Sequence, residues 1–265
     1  AARADARHEI EDCMRRGLAA LMGTGAEREH VPAELREFQG LSAPERDPDA
    51  ARSAFTKAEE IAMKAGLRSE TAHTAFYRAA AAAALELWHE AADGFATYFA
   101  IEEELRKLAT PGEPSFSEPL LGAAYGRFHW GHALYELGDS AGAMVQLDAY
   151  LGAVTAFQEV KICTVDSWGN EVYTALDKEL QRQRQWMVCA RCEYPARRML
   201  ASLLTQRTAT TCGSDAEAAR RLLLDASDHL RAAAQLASED AQRKETATEL
   251  DKVEGALKSL PVPLA

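Results

Sequence analysis

The chain has 265 residues, and its 53 alanines stand against only 13 valines and isoleucines together. Because alanine is the best helix former and β-branched residues favour strands, this composition predicts an all-α fold. A hydrophobic content of 47% excludes intrinsic disorder, and no apolar run reaches the roughly 20 residues that cross a bilayer, so we expect a soluble protein. The net charge of −11 opposes general binding to nucleic acid or to anionic membranes.

The first predicted element is an amphipathic helix near the N-terminus. Its apolar residues recur at helical spacing and form one stripe: Ile10, Cys13, Met14, Gly17, Leu18 and Leu21. The chain begins with alanine and residues 1–25 contain no apolar signal core. We therefore expect either a trimmed chain or a targeting segment that has already been removed.

Five further helices are predicted in the first part of the chain, over 48–65, 69–87, 90–109, 119–137 and 140–161. Asp47 followed by Pro48 is typical of a helix N-terminus, and Gly66 is typical of a helix end. The six consecutive alanines at 79–84 let neighbouring backbones approach, so they predict a helix that is packed on both sides. Short turns between antiparallel helices predict hairpins that stack side by side.

Three of these hairpins share one spacing. A small residue is followed four positions later by a bulky apolar one, in the pairs Ala51 and Phe55, Ala91 and Phe95, and Ala143 and Leu147. The three alanines are 40 and 52 residues apart, and a proline-rich segment at 110–119 accounts for the longer interval. The sequence therefore predicts an internal repeat of about 40 residues.

This pattern resembles the tetratricopeptide repeat (TPR) family over about residues 32–160. The resemblance lies in Gly131, in the run Ala-Leu-Tyr-Glu-Leu-Gly-Asp at 133–139, and in Ala143, Leu147 and Leu151. Residues 55–58 are similar to the end of a second helix in the longer variety of the repeat, and Glu86 stands where the family has a turn glycine. The resemblance implies an all-α fold of stacked antiparallel helical hairpins, a TPR-like α-solenoid, with protein binding as its function.

The resemblance also implies a concave groove that is lined by the first helix of each hairpin. At the groove positions the sequence places aromatic and histidine side chains: His73, Phe76, Tyr125, Phe128, His132 and Tyr135. Such a groove suits an extended peptide or a helix of a protein partner, because aromatic rings supply contact area at a low entropic cost. The alternative is that the same rings pack against the next helix, and both interpretations stay open.

The pattern changes after residue 160. Residues 162–170 are predicted to form a packed loop anchored by Trp168, followed by a helix over about 171–192. Pro195 is predicted to break this helix, because the residue before a proline avoids helical geometry. A shorter helix to about residue 206 and a polar loop at 208–213 complete this segment.

Two amphipathic helices are predicted at the C-terminal end, with a break near Ser238. Ser214 and Glu217 have the spacing of a capping box. The apolar stripes of the two helices consist of Ala219, Leu222, Leu223, Ala226 and Leu230, and then of Leu250, Val253, Leu257 and Leu260. We therefore divide the chain into residues 1–160, with the N-terminal helix and the TPR-like hairpins, and residues 161–265, a divergent helical region packed on them.

A basic region interrupts the acidic sequence between residues 178 and 207. Its candidate anion-binding or partner-binding side chains are Arg182, Arg184, Arg191, Arg197 and Arg198. A face of this kind is a hypothesis for RNA or anion binding by a helical repeat. The alternative is a solvated helix face, or arginines that pair with acidic neighbours.

The five cysteines are an odd number in a chain too large to need disulfides, which favours a reducing intracellular compartment, either the cytoplasm or an organelle interior. Cys189 and Cys192 have the spacing of a redox pair or of half a zinc site. A reactive thiol favours a helix N-terminus, whereas this pair lies at the end of a predicted helix. A zinc site needs four ligands, and whether Cys163 and Cys212 converge with the pair stays open.

His129 and His132 have i, i+3 spacing, but no further ligand lies at a suitable spacing in the same helix. The phosphate loops, nucleophile elbows and metalloprotease motifs of known enzyme classes are also missing from the sequence. We therefore predict no metal, no cofactor and no enzymatic activity. The function that the sequence favours is a non-catalytic interaction module, an adaptor or a scaffold subunit of a larger protein complex.

Overall fold

The structure, a computed structural model, describes residues 2–22, 47–108, 120–159, 164–165, 171–172, 192–211 and 215–260. Over these ranges the helices are α1 (Ala2–Met22), α2 (Pro48–Lys64), α3 (Arg68–Ala84), α4 (Trp88–Leu108), α5 (Leu120–Glu136), α6 (Ser140–Glu159), α7 (Glu193–Thr211), α8 (Ala216–Leu236) and α9 (Asp240–Ser259). Two strands of two residues each, β1 (Thr164–Val165) and β2 (Glu171–Val172), pair in antiparallel fashion. The protein is thus all-helical in its architecture, as the composition predicts.

The predicted helices of the first part are confirmed within a few residues at each end. Asp47 accepts a hydrogen bond from the Ala50 backbone N–H at 2.9 Å, so it caps α2 as predicted, and Pro48 occupies the first turn. The predicted stripe of α1 is also confirmed. It packs on α2, where a Cβ added to Gly17 would lie 2.5 Å from the ring of the fully buried Phe55.

Three turns between helices share one geometry. Gly66, Glu86 and Gly138 have positive φ angles of 64°, 59° and 79°. In each turn the next residue donates its N–H at 2.9 Å to a carbonyl five residues earlier, in the pairs Leu67 to Ala62, Leu87 to Ala82 and Asp139 to Leu134. This is the Schellman motif, which ends a helix with a residue in the left-handed region. Glu86 therefore adopts the conformation of the glycine that it replaces in the family pattern.

The alanine run of α3 is packed between α2 and α4, as predicted. Ala79, Ala81 and Ala82 are fully buried, and a Cβ added to Gly94 of α4 would lie 2.7 Å from the Ala79 Cβ. The two helices therefore approach until backbone and Cβ atoms touch. This close contact depends on small residues in both helices.

Each helix packs mainly on the next one along the chain, from α1 to α6 and from α6 through α7 to α9. Alternate helices also touch, namely α1 with α3, α3 with α5, and α5 with α7. The largest core cluster joins α5, α6 and α7 through side chains that include Phe128, Leu147 and Leu200. The boundary at residue 160 between two parts of the chain stays a prediction.

The prediction for residues 171–211 is wrong in three places. Residues 171 and 172 form β2, so the predicted helix does not begin at residue 171; the rest of that prediction, 173–191, lies outside the described residues. Pro195 lies in the first turn of α7 and does not break a helix, because the first N–H groups of a helix need no intrahelical acceptor. α7 then continues to Thr211, through the first four residues of the predicted polar loop.

The C-terminal helices agree better with the prediction. α8 begins one residue later than predicted, since Asp215 is the capping residue and accepts from the Ala218 N–H at 2.9 Å. The break near Ser238 is confirmed, and the two apolar stripes meet in one cluster that includes Leu223, Leu230 and Val253. No helix in the described ranges combines the length and the apolar character that a membrane span needs.

Candidate functional site

Five of the six predicted groove side chains are buried or half-buried, to different degrees. Tyr125 and Phe128 are buried, with 4% and 6% exposure, in the cluster that joins α5, α6 and α7. Phe76 is half-buried, and its ring lies 5.2 Å from that of Tyr98 and 5.7 Å from that of Phe95. For these rings the structure agrees with the alternative interpretation, packing against neighbouring helices. His132 is half-buried against Trp88, with 5.2 Å between the ring centroids.

The remaining polar atoms of the predicted groove are more accessible. His73 is exposed on α3. The His132 Nε2 lies 3.4 Å from a Glu136 carboxylate oxygen, and the hydroxyl of the half-buried Tyr135 lies 3.4 Å from the Ser202 hydroxyl on α7. A role of His73, His132 and Tyr135 in binding a partner stays a prediction.

Two of the residues considered for metal or redox chemistry are held in neutral form. Burial, and to a smaller extent the neighbouring His132, lower the pKa of His129 to about 3. Burial raises the pKa of Cys192 to about 11, although the Tyr125 hydroxyl, 3.2 Å from Sγ, opposes this shift. Cys192 does precede a helix N-terminus, contrary to the prediction, but its thiol is protonated and buried.

Within the described residues, no three His, Cys, Asp or Glu side chains are arranged to hold a metal ion. Cys163, Cys189 and Cys212 lie outside the described residues, and so does Trp168.

The two basic side chains that the structure describes within the predicted basic face, Arg197 and Arg198, are engaged with carboxylates. Arg197 Nη2 lies 2.7 Å from Glu193 Oε1 on the same helix. Arg198 contacts Glu245 at 2.9 Å and also Glu249, so it joins α7 to α9. The hydrogen bond to Glu249 is the main cause of a raised pKa at Arg198. Arg182, Arg184 and Arg191 lie outside the described residues.

A feature that the sequence analysis missed is a cavity of about 240 Å³ between α6, α7 and α8. Its lining combines three apolar side chains with three carboxylates and one imidazole: Met144, Leu200, Leu204, Asp148, Asp225, Asp228 and His229. We call it the α6–α8 cavity. Helix periodicity brings these residues together, because each helix contributes residues three or four positions apart.

The charges around the α6–α8 cavity are incompletely balanced. Asp228 lies 3.4 Å from Arg231, whereas Asp148 and Asp225 form no ion pair with any lysine or arginine that the structure describes. Loss of hydration raises the pKa of Asp148; His229 opposes this shift and Asp225 adds to it.

His229 itself is partly buried. Desolvation is the larger cause of its lowered pKa, and the positive charge of Arg197 is the smaller one. The carboxylates of Asp148, Asp225 and Asp228 raise the pKa of His229 and so oppose this shift. Its Nδ1 atom is buried and has no hydrogen-bond partner among the described residues. Among the described residues, Asp148 and Asp225 therefore have no cationic partner, and the His229 Nδ1 has no hydrogen-bond partner.

One signal in the sequence points to this cavity. Asp225, Asp228 and His229 lie at i, i+3 and i+4 on α8, beside the apolar stripe of the same helix. Such acidic flanks are common on solvated helices, so the spacing alone does not distinguish a site. Comparison of the chain with protein-family models, with curated proteins and with solved structures finds no match.

Proposed function

We propose that this chain is a non-catalytic protein–protein interaction module, a scaffold or adaptor subunit of a larger complex, built as a TPR-like stack of helical hairpins. The observation that carries the proposal is the contact between alternate helices, α1 with α3, α3 with α5 and α5 with α7, in addition to the contacts between consecutive ones. In a stack of this kind, the first helices of successive hairpins form a continuous surface. Stacked hairpins use such surfaces to bind other proteins.

Two further observations support the proposal. The turns at Gly66, Glu86 and Gly138 share one backbone geometry. Helices that are joined by the same turn are placed alike relative to each other, as a regular stack of hairpins needs. The polar groove side chains are His73, exposed on α3, and His132 and Tyr135, half-buried on α5. Tyrosine is enriched in protein interfaces because it offers a large rigid surface and a polar end.

The test is affinity purification of the tagged full chain from its native source, in parallel with the double variant His132→Ala/Tyr135→Ala. Both side chains are half-buried, so we expect the double variant to lose less packing than Phe128→Ala, which would open a cavity in the core. Arg221→Ala, at an exposed position of α8, is the matched control.

The proposal predicts a partner in fixed stoichiometry with the wild type and with the control, and its loss from the double variant. Circular dichroism must show that the three chains have the same helix content. Recovery of the wild-type chain alone, as a monomer in native mass spectrometry, would contradict the proposal.

A further inference from the structure

We propose that Arg127 is the centre of a docking site for one glutamate or aspartate side chain of a partner protein, presented by a segment with apolar residues beside the carboxylate. The site consists of Phe99 on α4, Arg127 and Trp130 on α5, and Gln146 on α6, and we call it the Arg127 site. The inference rests on the proposed function, since the occupant is part of a bound protein, and it adds the chemistry of the group that binds.

Aromatic rings hold the Arg127 guanidinium in place. Its Cζ atom lies 4.2 Å from the centroid of the Phe99 ring and 5.9 Å from that of the Trp130 ring, and the two rings stack with 5.4 Å between their centroids. Phe99 lies directly against the backbone of α5, because a Cβ added to Gly126 would be 3.1 Å from its ring. The cation is therefore oriented before any ligand binds, which lowers the entropic cost of binding.

Several hydrogen-bond donors of the Arg127 site have no partner among the described residues. Arg127 Nη1 donates to Gln146 Oε1, whereas Arg127 Nε and Nη2 make no hydrogen bond. Gln146 is only 7% exposed, and its Nε2 makes no hydrogen bond either. This nitrogen is bonded to the same carbon as the oxygen that Arg127 contacts, so the unpartnered donors of both residues lie together. Nε and Nη2 form the edge of a guanidinium that binds a carboxylate through two parallel hydrogen bonds.

Arg127 also differs from other half-buried arginines of the chain. Arg52 lies 3.0 Å from Glu90, and Arg78 lies 2.5 Å from Glu59. Arg127 forms no ion pair with any carboxylate that the structure describes. A partner that brings a carboxylate would therefore supply the contact that the protein itself supplies to Arg52 and Arg78.

The electrostatics at Arg127 favour an anion with a single charge. Desolvation is the larger cause of a lowered pKa at Arg127, and the positive charge of Arg106 is the smaller one, so a bound carboxylate would oppose both effects. Arg106 and Lys107 each contact the Glu103 carboxylate, which partly neutralises them. Phosphate groups are typically bound by clusters of arginines, and this site offers one arginine without an acidic partner.

The two rings of the Arg127 site indicate that the carboxylate belongs to a protein. Phe99 and Trp130 are both half-buried, so each keeps part of its ring surface in water. A free small carboxylate would leave that surface in water, whereas apolar residues beside a glutamate would cover it. Tryptophan and arginine are also the residue types that contribute most often to the energetic centres of protein interfaces.

The experiment uses the full chain with ¹⁵N-labelled tryptophan and follows the Trp130 indole N–H signal in NMR titrations. The signal is assigned by its loss in Trp130→Phe. The probes are tripeptides capped at both ends, namely Leu-Glu-Leu, Gly-Glu-Gly and Leu-Gln-Leu, together with glutarate and inorganic phosphate. We expect saturable shifts with Leu-Glu-Leu, several-fold weaker binding of Gly-Glu-Gly, and at least tenfold weaker binding of Leu-Gln-Leu, which has the same shape without the charge.

Three variants connect the shifts to the Arg127 site. Arg127→Gln removes the cation, and Gln146→Glu gives Arg127 a carboxylate from its own chain at nearly unchanged volume. Each should weaken binding of Leu-Glu-Leu at least tenfold. Arg221→Gln makes the same change in net charge as Arg127→Gln at an exposed arginine of α8 that pairs with Glu217, so it should leave the affinity unchanged.

Equal affinity for Leu-Glu-Leu and Leu-Gln-Leu, or no saturable shift of the Trp130 signal, would overturn the inference. The same holds if Gln146→Glu has the helix content of the wild type and binds Leu-Glu-Leu as tightly. Tighter binding of glutarate or phosphate than of Leu-Glu-Leu would reject a protein side chain as the occupant.

This experiment and the affinity purification fail independently. The tripeptides test the Arg127 site without any native partner, and the His132→Ala/Tyr135→Ala variant keeps all four residues of the site. A captured partner together with inert tripeptides would overturn only the assignment of the Arg127 site.

Discussion

The α2–α4 region and the α6–α8 region are built from the same element, consecutive antiparallel helices, but they differ in how closely the helices approach. Between α3 and α4 the contact residues are small, and Gly94 lies against Ala79 with no room for a Cβ. The buried carboxylate of this region has an ion-pair partner. Glu59, with 7% exposure, lies 2.5 Å from Arg78, which also approaches Glu90.

Between α6, α7 and α8 larger side chains join the small ones at the contacts. Met144, Leu200 and Leu204 line the α6–α8 cavity together with Asp148 and Asp225, which are exposed and form no ion pair with a described lysine or arginine. The two regions therefore differ in the size of the side chains at the closest contact and in whether the carboxylates beside it are paired.

The largest expected effect comes from breaking the buried ion pair of the α2–α4 region. Arg78→Ala leaves the Glu59 carboxylate buried without its partner, and we expect a loss of about 3–5 kcal/mol in the free energy of unfolding. Urea unfolding followed by circular dichroism measures this loss. Arg221→Ala, which removes the exposed pair with Glu217, is the control and should change stability by less than about 0.5 kcal/mol.

The double variant Glu59→Met/Arg78→Met distinguishes the cost of an unpaired buried charge from the cost of lost side-chain packing. Since it removes both charges and keeps the volume, it should be considerably more stable than Arg78→Ala. If Arg78→Ala costs no more than Arg221→Ala, the paired charges do not contribute to the stability of this region.

The second effect concerns two histidines, the half-buried His129 of α5 and His229 at the α6–α8 cavity. The pKa of His129 is about 3 in the folded protein against 6.5 ordinarily, so neutral His129 favours folding above pH 6.5 and this contribution falls as pH decreases towards 3. The expected slope is about 1.4 kcal/mol per pH unit, or about 2 kcal/mol between pH 6.5 and pH 5. Urea unfolding at pH 7, 6 and 5 should show that His129→Phe removes this slope.

The matched variant at the cavity is His229→Phe. Burial also lowers the pKa of His229, but Asp148, Asp225 and Asp228 oppose the shift, so its replacement should change the pH dependence less. An equal pH dependence in the wild type and in His129→Phe would show that His129 is not buried in neutral form.

The third effect tests the close approach of the helices. Gly94→Ala places a Cβ 2.7 Å from the Ala79 Cβ and 3.2 Å from the Ala75 carbonyl oxygen, and such overpacking costs about 1–3 kcal/mol. Gly152→Ala on α6 meets nothing within 4 Å and should instead stabilise the helix by about 0.5–1 kcal/mol. Opposite signs in thermal unfolding would confirm that the two regions differ in packing, and equal signs would contradict it.

The parts of the fold that the sequence predicts are those with local signals. Asp47 and Pro48 mark the start of α2, Gly66 and Gly138 mark helix ends, and the alanine run marks the closest contact. The prediction at Pro195 is wrong because proline is compatible both with a helix end and with a first helical turn. The choice between the two depends on where the helix begins, and α7 begins at Glu193, two residues before Pro195.

The candidate site depends on contacts between helices, and these are less predictable. Periodicity places Tyr125 and Phe128 on one face of α5 but does not show that α6 and α7 cover that face. The α6–α8 cavity depends on the distances between α6, α7 and α8, and side chains of more than one helix, Met144, Leu200 and Leu204 among them, line it. No single helix contains that information.

The smallest expected effect is an enlargement inside the α6–α8 cavity. Leu204→Phe adds volume where about 240 Å³ is free, so the free energy of unfolding should change by less than about 0.5 kcal/mol. Leu147→Phe makes the same change at a fully buried position against Gly131 and should cost about 1–3 kcal/mol. Urea unfolding of both variants measures the difference, and an equal cost at the two positions would show that the space beside Leu204 is not available.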